Sequence, residues 1–158
     1  MSKNDTKDLL TFLKPWNSDV QELVLWLREF VWDLHPEANE LIYDNYNALA
    51  FGWSLTEKLG NSFCSIAVFR TNNNIHFGFY RGNKIADPDK LLLGSGSQYR
   101  YILVKSKKDF PKNYIKKLIT EAHLNALSTL KVLKENTSHG ATITKSISAV
   151  RRTSKKGS

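Results

Sequence analysis

Residues 62–80 read SFCSIAVFRTNNNIHFGFY, and this stretch decides the fold. Two runs rich in β-branched and aromatic residues, Ser62–Arg70 and Ile75–Tyr80, flank the polar segment Thr71-Asn72-Asn73-Asn74. Asparagine tolerates left-handed backbone angles, so the pattern predicts a β-hairpin. Pairing Arg70 with Ile75 places Cys64, Ile66 and Val68 on one face with Ile75, Phe77 and Phe79, which makes a core layer. Ser65, Ala67, Phe69, His76, Gly78 and Tyr80 then share the opposite, mixed face.

Upstream, Glu40–Asn45 and Ala48–Ser54 read as two more short strands, and downstream Tyr99–Val104 reads as a fifth. An irregular stretch from Asp87-Pro88-Asp89 to Gly94-Ser95-Gly96-Ser97 separates the fifth strand from the hairpin. Helices flank the strands. Asp8–Leu13 supports one or two turns that Lys14-Pro15 stops. Ser18, with Gln21 three residues on, forms a capping-box pattern that opens a stronger helix. Val20, Leu23, Val24, Leu27, Val31 and Leu34 recur there at helical spacing, and Pro36 ends the run. A long helix is predicted over Lys112–Lys134, with Ile115, Leu118, Ile119, Ala122, Ala126, Leu130 and Leu133 as its buried stripe.

Helix, meander and helix in that order predict an α+β fold. Its antiparallel sheet has about five strands, with the N-terminal and the long C-terminal helix packed on one face. Residues 1–136 form the expected single domain. Residues 137–158 hold nine Ser or Thr, five bases and no acid, a composition expected to be disordered. Ile143, Ile147 and Val150 share a helical spacing that could fold against a partner.

One cysteine, Cys64, excludes an internal disulfide framework and a cysteine-rich zinc site. The apolar run Leu9–Leu13 is too short for a leader peptide, and nothing approaches the ~20 apolar residues of a membrane span. A soluble, cytoplasmic protein without membrane contact is expected.

The charges are sorted along the chain. Residues 17–57 carry a net charge of −7, with Arg28 their one base, whereas residues 58–158 carry +14. Such asymmetry points to partners rather than to a fold. Glu22, Glu29 and Asp33 lie near one helical line, and Glu37, Glu40 and Asp44 continue from its end into the first strand. Clustered carboxylates suit hard cations or a basic partner protein, and His35 among them could add a nitrogen ligand.

Gly94, Gly96 and Arg100 form a weaker candidate, because paired glycines let backbone N–H groups approach an anion beside a guanidinium. That loop leads into a strand, whereas a phosphate loop leads into a helix. On the basic side, Lys112, Lys116, Lys117, Arg151 and Arg152 could contact nucleic acid nonspecifically or an acidic partner. No catalytic constellation emerges: Cys64 and His76 fall on opposite faces of the hairpin, and neither His123 nor His139 gains a partner.

Two stretches carry a family resemblance. Leu34-His35-Pro36-Glu37-Ala38-Asn39-Glu40-Leu41-Ile42-Tyr43, and Leu93-Gly94-Ser95-Gly96-Ser97-Gln98-Tyr99-Arg100-Tyr101-Ile102 followed by Lys105-Ser106, resemble motifs of the YdhG-like domain-of-unknown-function family. The resemblance covers about residues 8–126. Asp44-Asn45-Tyr46-Asn47-Ala48 stands where the family commonly has Gly-Met-Pro, and Ser97-Gln98 where it has basic residues. The resemblance implies a frataxin-like α+β sandwich, and with it iron binding or delivery through the acidic ridge of Glu22, Glu29, Asp33, Glu37, Glu40 and Asp44.

Overall fold

The computed structural model describes residues 7–129 and 140–153. Three helices, α1 (Lys7–Leu13), α2 (Ser18–Leu34) and α3 (Lys112–Leu127), accompany six strands. The strands are β1 (Asn39–Asp44), β2 (Ala48–Ser54), β3 (Ser62–Phe69), β4 (Ile75–Tyr80), β5 (Tyr99–Leu103) and β6 (Thr142–Ile147). They form one sheet in the order β5-β4-β3-β2-β1-β6. The architecture is α+β, and the first five strands are the expected antiparallel meander.

The sheet is mixed rather than wholly antiparallel, because β6 pairs parallel to β1. β6 lies within the segment expected to be disordered. Thr142-Ile143-Thr144 is β-branched throughout, and pairing it covers the outer N–H and C=O groups of β1, which would otherwise form an open edge. The helical spacing of Ile143, Ile147 and Val150 gives way to extended backbone.

The hairpin forms with a register displaced by two residues. Val68 opposes Ile75 and Cys64 opposes Phe79, and the turn closes through Asn73 N–H to Phe69 O (3.0 Å), with Asn73 at φ 61°. Side chains alternate with period two, so an even displacement leaves both faces as expected. Ile42, Phe51, Ile66, Phe77 and Ile102 line up across five strands as the central row of the core. Leu9 and Leu13 of α1, Leu27 and Val31 of α2, and Ile115 and Ile119 of α3 pack against that face. The other face carries Tyr43, Ala50, Ala67 and His76 in one row and Gly52, Ser65, Gly78 and Tyr101 in the next. Tyr99 lies across Gly78 so closely that a Cβ there would meet its ring at 2.3 Å.

The cap of α2 sits one residue earlier than expected. Asn17, in extended backbone, accepts from Val20 N–H (2.9 Å), and Gln21 donates to Trp16 O (2.7 Å) instead of closing a box with Ser18. Pro36 ends the helix as expected, leaving His35 as its C-cap. In α3 the expected stripe is buried from Ile115 to Ala126. Leu130, Leu133, Lys131, Lys134, His139 and the expected domain boundary at residue 136 lie outside the described residues. No helix among the described residues is long and apolar enough to cross a membrane.

Candidate metal centre

The acids of the expected ridge separate. Strand alternation places Glu40, Ile42 and Asp44 on the helix-covered face, and both carboxylates are completely buried. Buried charge needs partners. Arg28 of α2 supplies a two-pronged pair to Glu40, Nε to Oε2 and Nη2 to Oε1, each at 2.8 Å, and Thr142 of β6 adds a hydroxyl at 2.9 Å. Asp44 accepts from Arg70 Nη2 and from Arg151 Nε (2.9 Å) and Nη2. Glu40 and Asp44 are therefore internal anchors and not members of an exposed ridge. Glu22, Glu29 and Asp33 stay exposed on α2, with Glu22 3.7 Å from Lys107 Nζ.

Glu37 takes part in a different arrangement. His35 at the end of α2, Glu37 just beyond Pro36 and His123 in α3 offer three ligand atoms that all lie within 4.8 Å of one another. His35 Nδ1 is 3.1 Å and His123 Nε2 3.5 Å from the same oxygen, Glu37 Oε2. The two imidazoles stack at 4.1 Å with 16° between their planes, so both present a nitrogen edge in one direction.

Phe63 stands edge-on to both rings, at 5.2 Å from His35 and 5.0 Å from His123. It sits where the β2–β3 register shifts between Trp53 and Ser54, an irregularity that re-aims a side chain. The loop is held from outside as well, since Gly140 N–H donates to Glu37 O (3.1 Å). Gly140 has φ 67°, and a Cβ there would meet Pro36 O at 2.8 Å, so glycine suits this contact.

Both imidazoles are half-buried and Glu37 is half-exposed. Burial pulls the pKa of His123 down, the neighbouring His35 lowers it further, and Glu37 opposes both. Neutral imidazole nitrogens beside a carboxylate form a donor set for borderline divalent metals.

No protein-family model, characterised protein or solved structure matches the chain.

The remaining candidate residues are dispersed. In the glycine loop, Leu93 and Tyr101 bridge through their backbones, Gly94 adopts φ 98°, and Arg100 Nε donates to Gly96 O (2.7 Å). Arg100 thus closes the loop on itself. Lys112, Lys116 and Lys117 are exposed on α3, with Lys112 Nζ 5.9 Å from the Trp26 ring. Arg151 and Arg152 lie on the segment after β6, tied to Asp44 and to Asn47. Cys64 is sealed in the core, where burial pushes its thiol pKa well up, and His76 is on the opposite face, stacked on Tyr101 at 4.1 Å. That separation is the one expected from the hairpin alternation.

His123 is the residue that sequence reasoning left without a role. It adjoins the stripe residues Ile119, Ala122 and Ala126, so it had to emerge near the sheet side of α3. Only the tertiary fold brings it to His35.

Proposed function

We propose that this chain binds a divalent first-row transition metal ion, ferrous iron or zinc, through His35, Glu37 and His123. The observation that carries the reading is the convergence of two imidazole nitrogens on one carboxylate oxygen. With bonds of about 2.1 Å, ligands around one ion stand roughly 3.0–3.4 Å apart. The 3.1 Å and 3.5 Å separations already fall near that range.

Half-exposed Glu37 leaves the solvent side accessible, so an exchangeable ligand or a receiving partner can approach. The iron reading from the acidic ridge thus contracts to Glu37, now joined by two nitrogen ligands. Glu22, Glu29 and Asp33 contribute a negative field on α2 that would raise the local concentration of cations.

Calorimetric titration with zinc, and with ferrous iron under anaerobic conditions, tests the proposal. One saturable site is expected. Losing a supporting hydrogen bond around a metal already weakens binding about 10–100-fold, so His123→Gln should weaken it at least that much. Glu29→Gln, which removes only part of the surrounding field, should weaken it far less. Binding that survives His123→Gln, or that disappears in Glu29→Gln, would contradict the assignment.

A further inference from the structure

A second constellation lies where the α1–α2 joint, the β3–β4 turn and the segment after β6 meet. A cavity of about 330 Å³ opens there, lined by Pro15, Trp16, Arg70, Asn73, Arg151, Arg152 and Thr153. Small-molecule sites begin at about that volume. Three guanidinium groups line it, and its lining residues include no carboxylate.

The nearest acid, Asp44, is completely buried and engages both Arg70 and Arg151. Three cations against one anion leave a local excess of two positive charges.

The guanidiniums are also fixed in place. Arg70 is only 4% exposed, lies 5.0 Å from the Trp16 ring, and donates from Nε to Asn45 O (3.0 Å) and from Nη2 to Asp44. Arg151 spends Nε and Nη2 on Asp44, and Arg152 donates Nη1 to Asn47 Oδ1 (3.1 Å). Among the described residues, Nη1 of Arg70, Nη1 of Arg151 and Nη2 of Arg152 make no hydrogen bond. Each guanidinium is thus held by one edge and offers another. Backbone bonds from Ser148 N–H to Asp44 O (2.7 Å) and from Arg152 N–H to Tyr46 O (2.8 Å) hold the strap that carries two of them.

We propose that this cavity binds a phosphate monoester. A monoester carries about −1.5 to −2 charge near neutral pH and three acceptor oxygens, which match the excess charge and the donors left over. Arginine suits the task because its planar fork holds donors at fixed angles to phosphate oxygens. The same group occurs on small metabolites and on phosphorylated side chains. Arg70 is buried beside the cavity while Arg151 and Arg152 are exposed, and a cavity of this volume favours the small molecule.

Nitrogen-15 NMR of the full chain tests this with the Trp16 indole N–H, which faces Phe69 O at 3.4 Å, and the Arg70 Nε–H as reporters. Glycerol phosphate is titrated against sodium chloride at matched ionic strength, and a phosphoserine peptide forms a parallel arm. Saturating shifts with glycerol phosphate and none with chloride are expected. Arg152 is exposed, so Arg152→Gln should fold normally, yet weaken binding about tenfold through loss of one charged hydrogen bond. Equal shifts with chloride, or unchanged affinity in Arg152→Gln, would overturn the proposal. Binding of the peptide without any response to glycerol phosphate would overturn the small-molecule reading.

Discussion

Arg28 and Glu40 meet beneath α2 with both side chains almost wholly removed from water. Leaving one of them buried without the other costs about 3–5 kcal/mol, whereas replacing both with apolar groups of similar size costs much less. Glu40→Leu alone should therefore lower the stability measured by urea unfolding by about that amount, and Arg28→Met combined with Glu40→Leu should recover most of it. Additive losses would show that the pair does not act as a unit. This pair was legible in principle. Glu40 and Asp44 share strand parity with Ile42, so an inward Ile42 implies two inward carboxylates. The spacing of acids along the chain, taken without that alternation, suggests a ridge that includes both. His35 and Glu37 could be singled out because they are close in sequence, but nothing local connects them to His123.

Among the elements, β6 is the one that composition concealed. A Ser/Thr-rich segment with little apolar content has the signature of a disordered chain, yet Thr142–Ile147 is also a stretch of strand length with four β-branched residues, Thr142, Ile143, Thr144 and Ile147. Its stabilisation comes from tertiary partners. Thr142 reaches Glu40, Ser146 reaches Asn45 (3.0 Å), and the strap beyond delivers Arg151 to Asp44. Removing residues 140–158 should therefore expose the β1 edge and leave Asp44 with Arg70 alone. Light scattering and thermal melting should show self-association and a lower Tm. A monomeric truncate with an unchanged Tm would mean that β6 contributes nothing to the sheet. The helices and the five-strand meander were legible because their period is strong. The two-residue shift of the hairpin register left no trace in the face assignments, which explains why the core row was readable without the correct turn.

For the whole molecule, the sorted charges turn into an internal lattice as much as a surface. Glu40 and Asp44 are neutralised by Arg28, Arg70 and Arg151, so the acidic segment shows fewer carboxylates at the surface than the linear pattern suggested. Stability should also depend on pH. Burial lowers the pKa of both His76 and His123, so the folded chain binds fewer protons than the unfolded one as pH falls below the ordinary imidazole value of about 6.5. Stability is then lost as pH drops from about 6.5 through the lower folded values, and denaturant midpoints measured across that window should decline. Replacing His76 with an uncharged residue should flatten part of the decline.

A metal at His35, Glu37 and His123 would join α2, the loop after Pro36 and α3 at one point. Metal K-edge X-ray absorption of the zinc-loaded protein examines that junction directly. The expected spectrum shows two imidazole nitrogens and a carboxylate oxygen at about 2.0–2.2 Å. A shell of oxygens without imidazole scattering would contradict it.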